Sequence, residues 1–248
     1  MTKLKSSGFS LLDFEVKDSI CYITLNRAEK RNALNAALIS ELRKAFKKAA
    51  KNLSARVIII RANGNVFSAG ADLESLQQMQ KNSRKENYAD SVHLKNMFMD
   101  IYCHPLPVIA QVEGSAIAGG CGLATVCDFV FAVPDAQFGY TEVKIGFIPA
   151  IVSVFLVRKV GEGKAKELFL TGKLISASGA QELGLINFIS DKNKIAGFVN
   201  SFAQQLISET SPNSIAQTKK LVASINKKEM EKNLDLACRT NASVRASK

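Results

Sequence analysis

The chain has no tryptophan and only two histidines and five prolines among its 248 residues, and several of these shortages close off a class of function. With His93 and His104 alone, and no H-E-x-x-H or His-carboxylate cluster around either, there is no donor set for a zinc site. Both histidines read as structural or surface residues, and no metal is expected. Four tyrosines and no tryptophan leave no interleaved aromatic and basic surface of the kind that single-stranded nucleic acid stacks on. The five cysteines, Cys21, Cys103, Cys121, Cys127 and Cys238, are odd in number, scattered and without C-x-x-C spacing, so they read as free, mostly buried thiols. No apolar run reaches the length of a membrane span, and the opening residues 1–8 carry lysines with no apolar stretch of signal-peptide length behind them. The expectation is a soluble, cytoplasmic protein with no membrane partner.

Two catalytic signatures are also missing. Ser68, in Asn65-Val66-Phe67-Ser68-Ala69-Gly70, has no glycine two residues before it and no histidine placed to activate it, which argues against a serine hydrolase. Glycines 114, 119, 120 and 122 satisfy neither G-x-G-x-x-G nor the phosphate-binding loop with its Gly-Lys-Ser/Thr ending. Neither a dinucleotide cofactor nor a nucleoside triphosphate is indicated.

What remains is a chain that is 47% hydrophobic at 26.9 kDa, enough for one sizeable core with or without an appendage. Its net charge of +11 could draw a phosphate-bearing ligand, nucleic acid or an acidic membrane surface. Part of that excess sits in Arg43, Lys44, Lys47, Lys48 and Lys51, a solvated helix face that needs no ligand to explain it. A basic RNA-binding protein therefore stands only as a distant alternative.

Along the chain, Phe14 to Val16 and Ile20 to Leu25 read as a short antiparallel pair around Lys17-Asp18-Ser19. Asn35 can cap a helix whose apolar positions Leu38, Leu42, Ala45, Phe46 and Ala49 recur at helical spacing. The β-branched run Val57 to Ile60 predicts a buried strand leading to a first glycine corner, Phe67-Ser68-Ala69-Gly70-Ala71-Asp72-Leu73. Residues from Glu74 to about Asn87 are polar and read as a helix and mobile loop above that corner. After Pro105 and Pro107 the pattern repeats: strand Val108 to Val112 feeds a second corner, Gly114 to Gly122, with Cys127-Asp128 beyond it. Further strands are expected at Phe129 to Val133 and Ala136 to Gly139, then a helix from Ile151 to Val160. Helices follow at Ala165 to Leu170, Ala177 to Leu183, Phe198 to Ile207 and Ser214 to Ile225. The reading is α/β, a repeating β-β-α core over residues 1–190 and a helical region over 191–248 that covers the site or meets a partner subunit. Two corners that free backbone N–H groups are what an oxyanion hole needs, because donors fixed in place stabilise developing negative charge better than mobile water.

Four segments, in order, carry a resemblance. They are Asn26-Arg27-Ala28-Glu29-Lys30-Arg31-Asn32-Ala33-Leu34-Asn35, the two glycine corners, and Phe138-Gly139-Tyr140-Thr141-Glu142 with Gly146-Phe147-Ile148-Pro149. From Ile20 to about Ile225 the chain resembles the crotonase family, also called the enoyl-CoA hydratase/isomerase family. The resemblance implies a right-handed spiral of β-β-α turns with a C-terminal helical region, assembled as trimers or dimers of trimers. It implies an acyl-CoA thioester substrate, as in fatty acid metabolism, with no cofactor other than the CoA that the substrate carries. The N–H groups of Ala71 and Gly119 would hold the thioester oxygen and Glu142 would move protons. Lys30, Arg31, Ala33 and Leu34 would lie along the CoA, and Ala69, Asp72, Leu73 and Gly120 would border the substrate at the corners. One departure stands out: hydratases of the family carry a second glutamate where this chain has Gly122. One carboxylate suits double-bond isomerisation, hydration or dehydration remains the commoner family activity, and loss of carbon dioxide from an acyl-CoA would use the same enolate-stabilising hole.

Overall fold

The computed structural model describes residues 8–246, without the side chain of Leu73; all but Gly8 of the basic opening stretch lies outside the described part. Strand β1 (Leu12–Lys17) pairs antiparallel with β2 (Ile20–Leu25). Asp18 and Ser19, at φ 50° and 62°, make the two-residue left-handed turn that matches the twist of a hairpin. Asn35 then accepts the Leu38 N–H and starts α1 (Ala36–Ala50), which buries Leu38, Ile39, Leu42, Ala45, Phe46 and Ala49 and leaves Lys44, Lys47 and Lys48 exposed.

Three turns of a spiral follow. The first is β3 (Val57–Ala62), β4 (Val66–Ser68) and α2 (Leu73–Lys81), with α3 (Arg84–Tyr102) appended. The second is β5 (Val108–Val112), β6 (Ser115–Ile117) and α4 (Gly119–Thr125). The third is β7 (Phe129–Ala132), β8 (Gln137–Gly139) and α5 (Ala150–Val160). Each turn gives its first strand to a six-stranded sheet, β1-β2-β3-β5-β7-β10, and its second to a four-stranded sheet, β4-β6-β8-β9. After α6 (Glu162–Thr171) come β9 (Ile175–Ser176), α7 (Ala177–Glu182) and β10 (Phe188–Ile189). The chain ends in α8 (Ile195–Glu209), α9 (Pro212–Ser224) and α10 (Lys227–Ala246). No described helix is long and apolar enough to cross a membrane.

All pairings in the large sheet from β2 onward are parallel, and its central strands are apolar on both faces: Val57 to Ile60 and Val108 to Val112 are fully buried. An aromatic cluster fixes the tail to this sheet, with Phe131 of β7 4.6 Å from Phe188, 5.1 Å from Phe198 and 5.3 Å from Phe202 between ring centres. Of the two histidines, His104 is structural: it is buried, its Nδ1 accepts the Leu106 N–H at 3.1 Å, and its other ring nitrogen donates to the Phe46 carbonyl. Four cysteines are buried and Cys103 is exposed, all free.

One expectation needs correction. The polar stretch from Glu74 to Asn87 forms two helices joined only by Asn82 and Ser83, with no mobile loop between them. Ser83 and Glu86 make a reciprocal capping box that restarts the helix at once, and buried Asn87 donates to the Met79 carbonyl at 2.9 Å. The last helix of the tail, α10, folds back on α3, α5 and α2. Replacing Phe131 by alanine is expected to cost about 3–5 kcal/mol, because the ring joins β7 to both β10 and α8; a urea denaturation series reads this directly.

Candidate active site

The small sheet lines up the ends of three turns. β4, β6 and β8 are neighbours and parallel, with Ser68 opposite Ala116 and Ala116 opposite Phe138. From that common level the chain reaches Ala71 three residues beyond Ser68, Gly119 three beyond Ala116, and Glu142 four beyond Phe138. All three border one cavity of about 340 Å³.

The first corner is built by hydrogen bonds from the loop before α1. Buried Asn32 donates to the Asn63 and Val66 carbonyls at 2.8 and 2.9 Å and accepts the Arg27 N–H. Ser68 Oγ donates to the Asn32 carbonyl, and the Ala69 N–H to the Arg31 carbonyl. On either side of Ala71, the Leu34 N–H donates to Gly70 and the Asp72 N–H to Leu34. Ala71 itself keeps an N–H with no partner among the described residues. Asp72 caps α2 through the Glu74 and Ser75 N–H groups and pairs with buried Arg27 at 2.6 Å. Burial pushes its carboxyl upward, but the Arg27 hydrogen bond and the two amides hold it below the usual aspartate value.

At the second corner the backbone is strained. Ala118 sits at φ 52°, ψ −124°, held there by its N–H on the Gly139 carbonyl at 2.7 Å. Gly119 follows as the first residue of α4, and among the described residues its N–H also lacks a partner. The corners touch, and a Cβ on Gly70 would lie 2.8 Å from Ala118 Cβ and 3.2 Å from Gly119 N. Lys159 secures the other end of α4, its Nζ donating to the Thr125 and Cys127 carbonyls at 3.0 and 3.1 Å.

Glu142 is delivered by β8. Two residues before it, fully buried Tyr140 shares a 2.7 Å hydrogen bond with Thr125 of α4, so the strand end is tied to the second corner. Glu142 Oε2 is sealed from solvent and has no hydrogen-bond partner. Burial pushes its carboxyl up to about 7, opposed only by the residue's own backbone N–H. The cavity it borders is lined by apolar Leu34, Leu76, Met79 and Val152 and, elsewhere, by polar residues that include Asn82, Asp90, Asn241 and Arg245. Two unpaired N–H donors and a carboxyl with an unpaired oxygen on one cavity can stabilise an anion and exchange a proton beside it.

The remaining residues singled out from sequence are spread around this centre. Leu34 and Ala69 border the cavity. Ala33 is buried and accepts from Arg27, and Asp72 is engaged as described. Gly120 is buried against the Ser68 backbone. Lys30 is exposed and paired with Glu74 at 2.8 Å, and Arg31 is exposed at φ 51°. The Leu73 side chain lies outside the described part. Glu113 accepts from Gln111 at 2.6 Å. At Gly122 a side chain would collide with Val152 Cγ1 and come within 3.2 Å of Phe98, so α5 and α3 fill the place where a second carboxylate would stand. Sequence reasoning missed Arg27 and Asn32 as supports of the first corner. It also missed the cavity residues Asp90 of α3 and Asn241 and Arg245 of α10, for which neither helix gives a local signal.

A β-β-α spiral with two abutting glycine corners and a carboxyl at the next strand end defines a crotonase-type protein. The family profile for enoyl-CoA hydratase/isomerase matches residues 15–247, and the chain belongs to that family of enzymes. A Thermus thermophilus protein named provisionally as an enoyl-CoA hydratase is 39% identical over 229 residues, 92% of this chain and 90% of the relative. Among solved structures, a Legionella pneumophila protein described provisionally as an enoyl-CoA hydratase/isomerase superposes with a TM-score of 0.82 at 36% identity, covering 92% of this chain and 89% of that one. An enoyl-CoA hydratase from Bacillus halodurans superposes at 0.89 with 28% identity, covering 95% of each chain.

Because Glu142 titrates above the ordinary glutamate value of 4.5 when folded, the unfolded chain loses its proton first, and stability falls as pH rises from about 4.5 to about 7. Glu142→Gln is therefore expected to stabilise the protein above pH 7 by up to about 3 kcal/mol and to make no difference near pH 4. Denaturant unfolding of both proteins at pH 4 and pH 8 measures it.

Proposed function

We propose that the enzyme hydrates and dehydrates enoyl-CoA thioesters, with Glu142 as its one proton-transfer group and the N–H groups of Ala71 and Gly119 as its oxyanion hole. The observation that carries the reading is Glu142, its Oε2 buried without a partner, lining the same cavity as Ala71 and Gly119 with their unpaired N–H groups. In the hydration direction the Glu142 carboxylate takes a proton from water as the water oxygen bonds to the β-carbon. The π electrons move onto the thioester oxygen, where the two N–H groups hold the enolate, and the Glu142 carboxyl then gives its proton to the α-carbon. A carboxyl near 7 populates both forms at neutral pH, which one group acting as base and then acid requires. The names of the hydratase relatives support the same reaction. The chemistry is proton transfer without a redox step, so it calls for no cofactor beyond the CoA of the substrate. Exposed Lys30 and Arg31 would meet its phosphates, with Ala33 and Leu34 along its length.

A second reading, β,γ to α,β isomerisation, is favoured by the filled position at Gly122. There Glu142 would take the proton from the α-carbon and return it at the γ-carbon. We further read the assembly as a trimer or a dimer of trimers, since Leu221, Val222 and Leu236 leave apolar side chains exposed on the last two helices. Work on fatty acyl-CoA in the cytoplasm suits this chemistry.

Incubation with α,β- and β,γ-enoyl-CoA thioesters in heavy-oxygen water separates the two reactions by mass spectrometry. Label in the product is expected; conversion of β,γ to α,β isomers without label would assign the isomerase instead. In either case Glu142→Gln is expected to lower kcat/KM by about 10²–10⁴-fold. For the wild type, kcat/KM should rise with pH along a limb centred near 7, since the free carboxylate starts the reaction. Unchanged turnover in Glu142→Gln would remove Glu142 from the mechanism.

A further inference from the structure

The cavity has a polar patch that the proton-transfer chemistry does not use. Arg245 and Asn241 lie one turn apart on α10, on the face that packs against α3, and both border the cavity. The Arg245 side chain is 8% exposed and its Nη1 donates to Asp90 Oδ2 of α3 at 2.6 Å. Asn241 is 5% exposed, and its Nδ2 donates to Ser91 Oγ at 3.0 Å. Each partner takes up only part of what these side chains offer. The other N–H groups of the guanidinium and the carbonyl of Asn241 have no partner among the described residues and are not sealed from solvent, and both residues line the cavity. The same cavity is lined by apolar Leu94, Leu76 and Met79 and by polar Gln78 and Asn82.

We propose that the acyl group taken by this enzyme carries a neutral acceptor oxygen, a hydroxyl or a carbonyl, at the point on its chain that meets Arg245 and Asn241. The inference rests on the reading of the cavity as an acyl-thioester site. A saturated alkyl chain would strip these groups of water and give nothing back, which disfavours it against a chain that replaces the lost hydrogen bonds. Arg245 can only donate, so the matching group must accept. Charge selects between kinds of acceptor. Asp90 already balances Arg245, so a carboxylate would bring an uncompensated negative charge into a site with little water, whereas a hydroxyl or ketone oxygen would not.

The test compares kcat/KM of the wild-type enzyme on enoyl-CoA thioesters of matched chain length ending in methyl, hydroxyl, ketone or carboxylate. A preference for the hydroxyl or ketone over methyl of about tenfold or more is expected from the replaced hydrogen bonds, and the two arms identify which oxygen the site takes. In Asn241→Leu the ratio of oxygenated to methyl kcat/KM should fall by about threefold or more, a ratio that a general loss of folding would leave alone. Equal or better use of the methyl thioester overturns the inference and leaves the acyl-CoA reading standing. Best use of the carboxylate overturns the assignment of a neutral group, and no turnover of any thioester overturns both readings.

Discussion

The parallel register of three short strands is the constraint on which the site depends. Because β4, β6 and β8 run side by side with Ser68, Ala116 and Phe138 at one level, three segments far apart in sequence emerge at one edge of one sheet. Each spiral turn leaves the large sheet, gives one strand to the small sheet, and releases a functional group just past that strand's end. The large sheet supplies the rigidity, with its central strands buried on both faces. A slip of one residue in the small sheet would reverse which side chains face the core and move the corners relative to Glu142. Positional accuracy in the cavity is therefore a property of backbone pairing, and the side chains at the corners need only stay out of the way.

That explains why so much of the local chemistry is steric. Gly70 must be glycine because any Cβ would press on Ala118 and Ile117, and this close approach is what brings the Gly119 N–H next to the first corner. Ala118 accepts a strained backbone, a cost of about 1–3 kcal/mol, offset by its hydrogen bond to Gly139 and by the packing that surrounds it. The polar network of Arg27, Asn32 and Asp72 does complementary work on the other side. It satisfies several carbonyls and amides of the loop that frames Ala71, and it leaves the Ala71 N–H without a protein acceptor among the described residues. Glu142 runs against the same accounting, since a buried carboxyl with no partner is destabilising when charged. A structure tuned only for stability would pair it or replace it.

Most of the fold was legible because its signals are local: the β-branched runs of β3 and β5, the Asn35 cap of α1, the proline break before β5 and the glycine corners all act over a few residues. The residues that complete the site were harder to see because their reasons are long-range. Asn32 looks like a turn asparagine until β4 is placed beside it, and Arg27 looks like any other of the 33 lysines and arginines until Asp72, 45 residues away, comes within 2.6 Å. The polar stretch from Glu74 to Asn87 reads as a helix and mobile loop by composition, yet the capping box of Ser83 and Glu86 and the buried amide of Asn87 hold all but two residues of it in helices. The return of α10 over α3 is set by tertiary packing, which no periodicity within α10 specifies. The absence of a carboxylate at residue 122 was plain in the sequence, whereas its cause, the occupation of that space by Val152 and Phe98, was not.

That cause bears on the chemistry. In a two-carboxylate site the proton taken from water and the proton given to carbon can reside on different groups, so each group can sit at its own favourable pKa. Here the second position is filled with hydrocarbon, and the burden falls on one carboxyl. The same hydrocarbon helps that carboxyl to bear it: Val152 lines the cavity that Glu142 enters, and exclusion of water is what raises the Glu142 pKa to about 7. Exchanging the glutamate position for glycine and packing α5 against it thus does two things together. It removes one acid/base group, and it makes the remaining one able to act as base and acid near neutral pH.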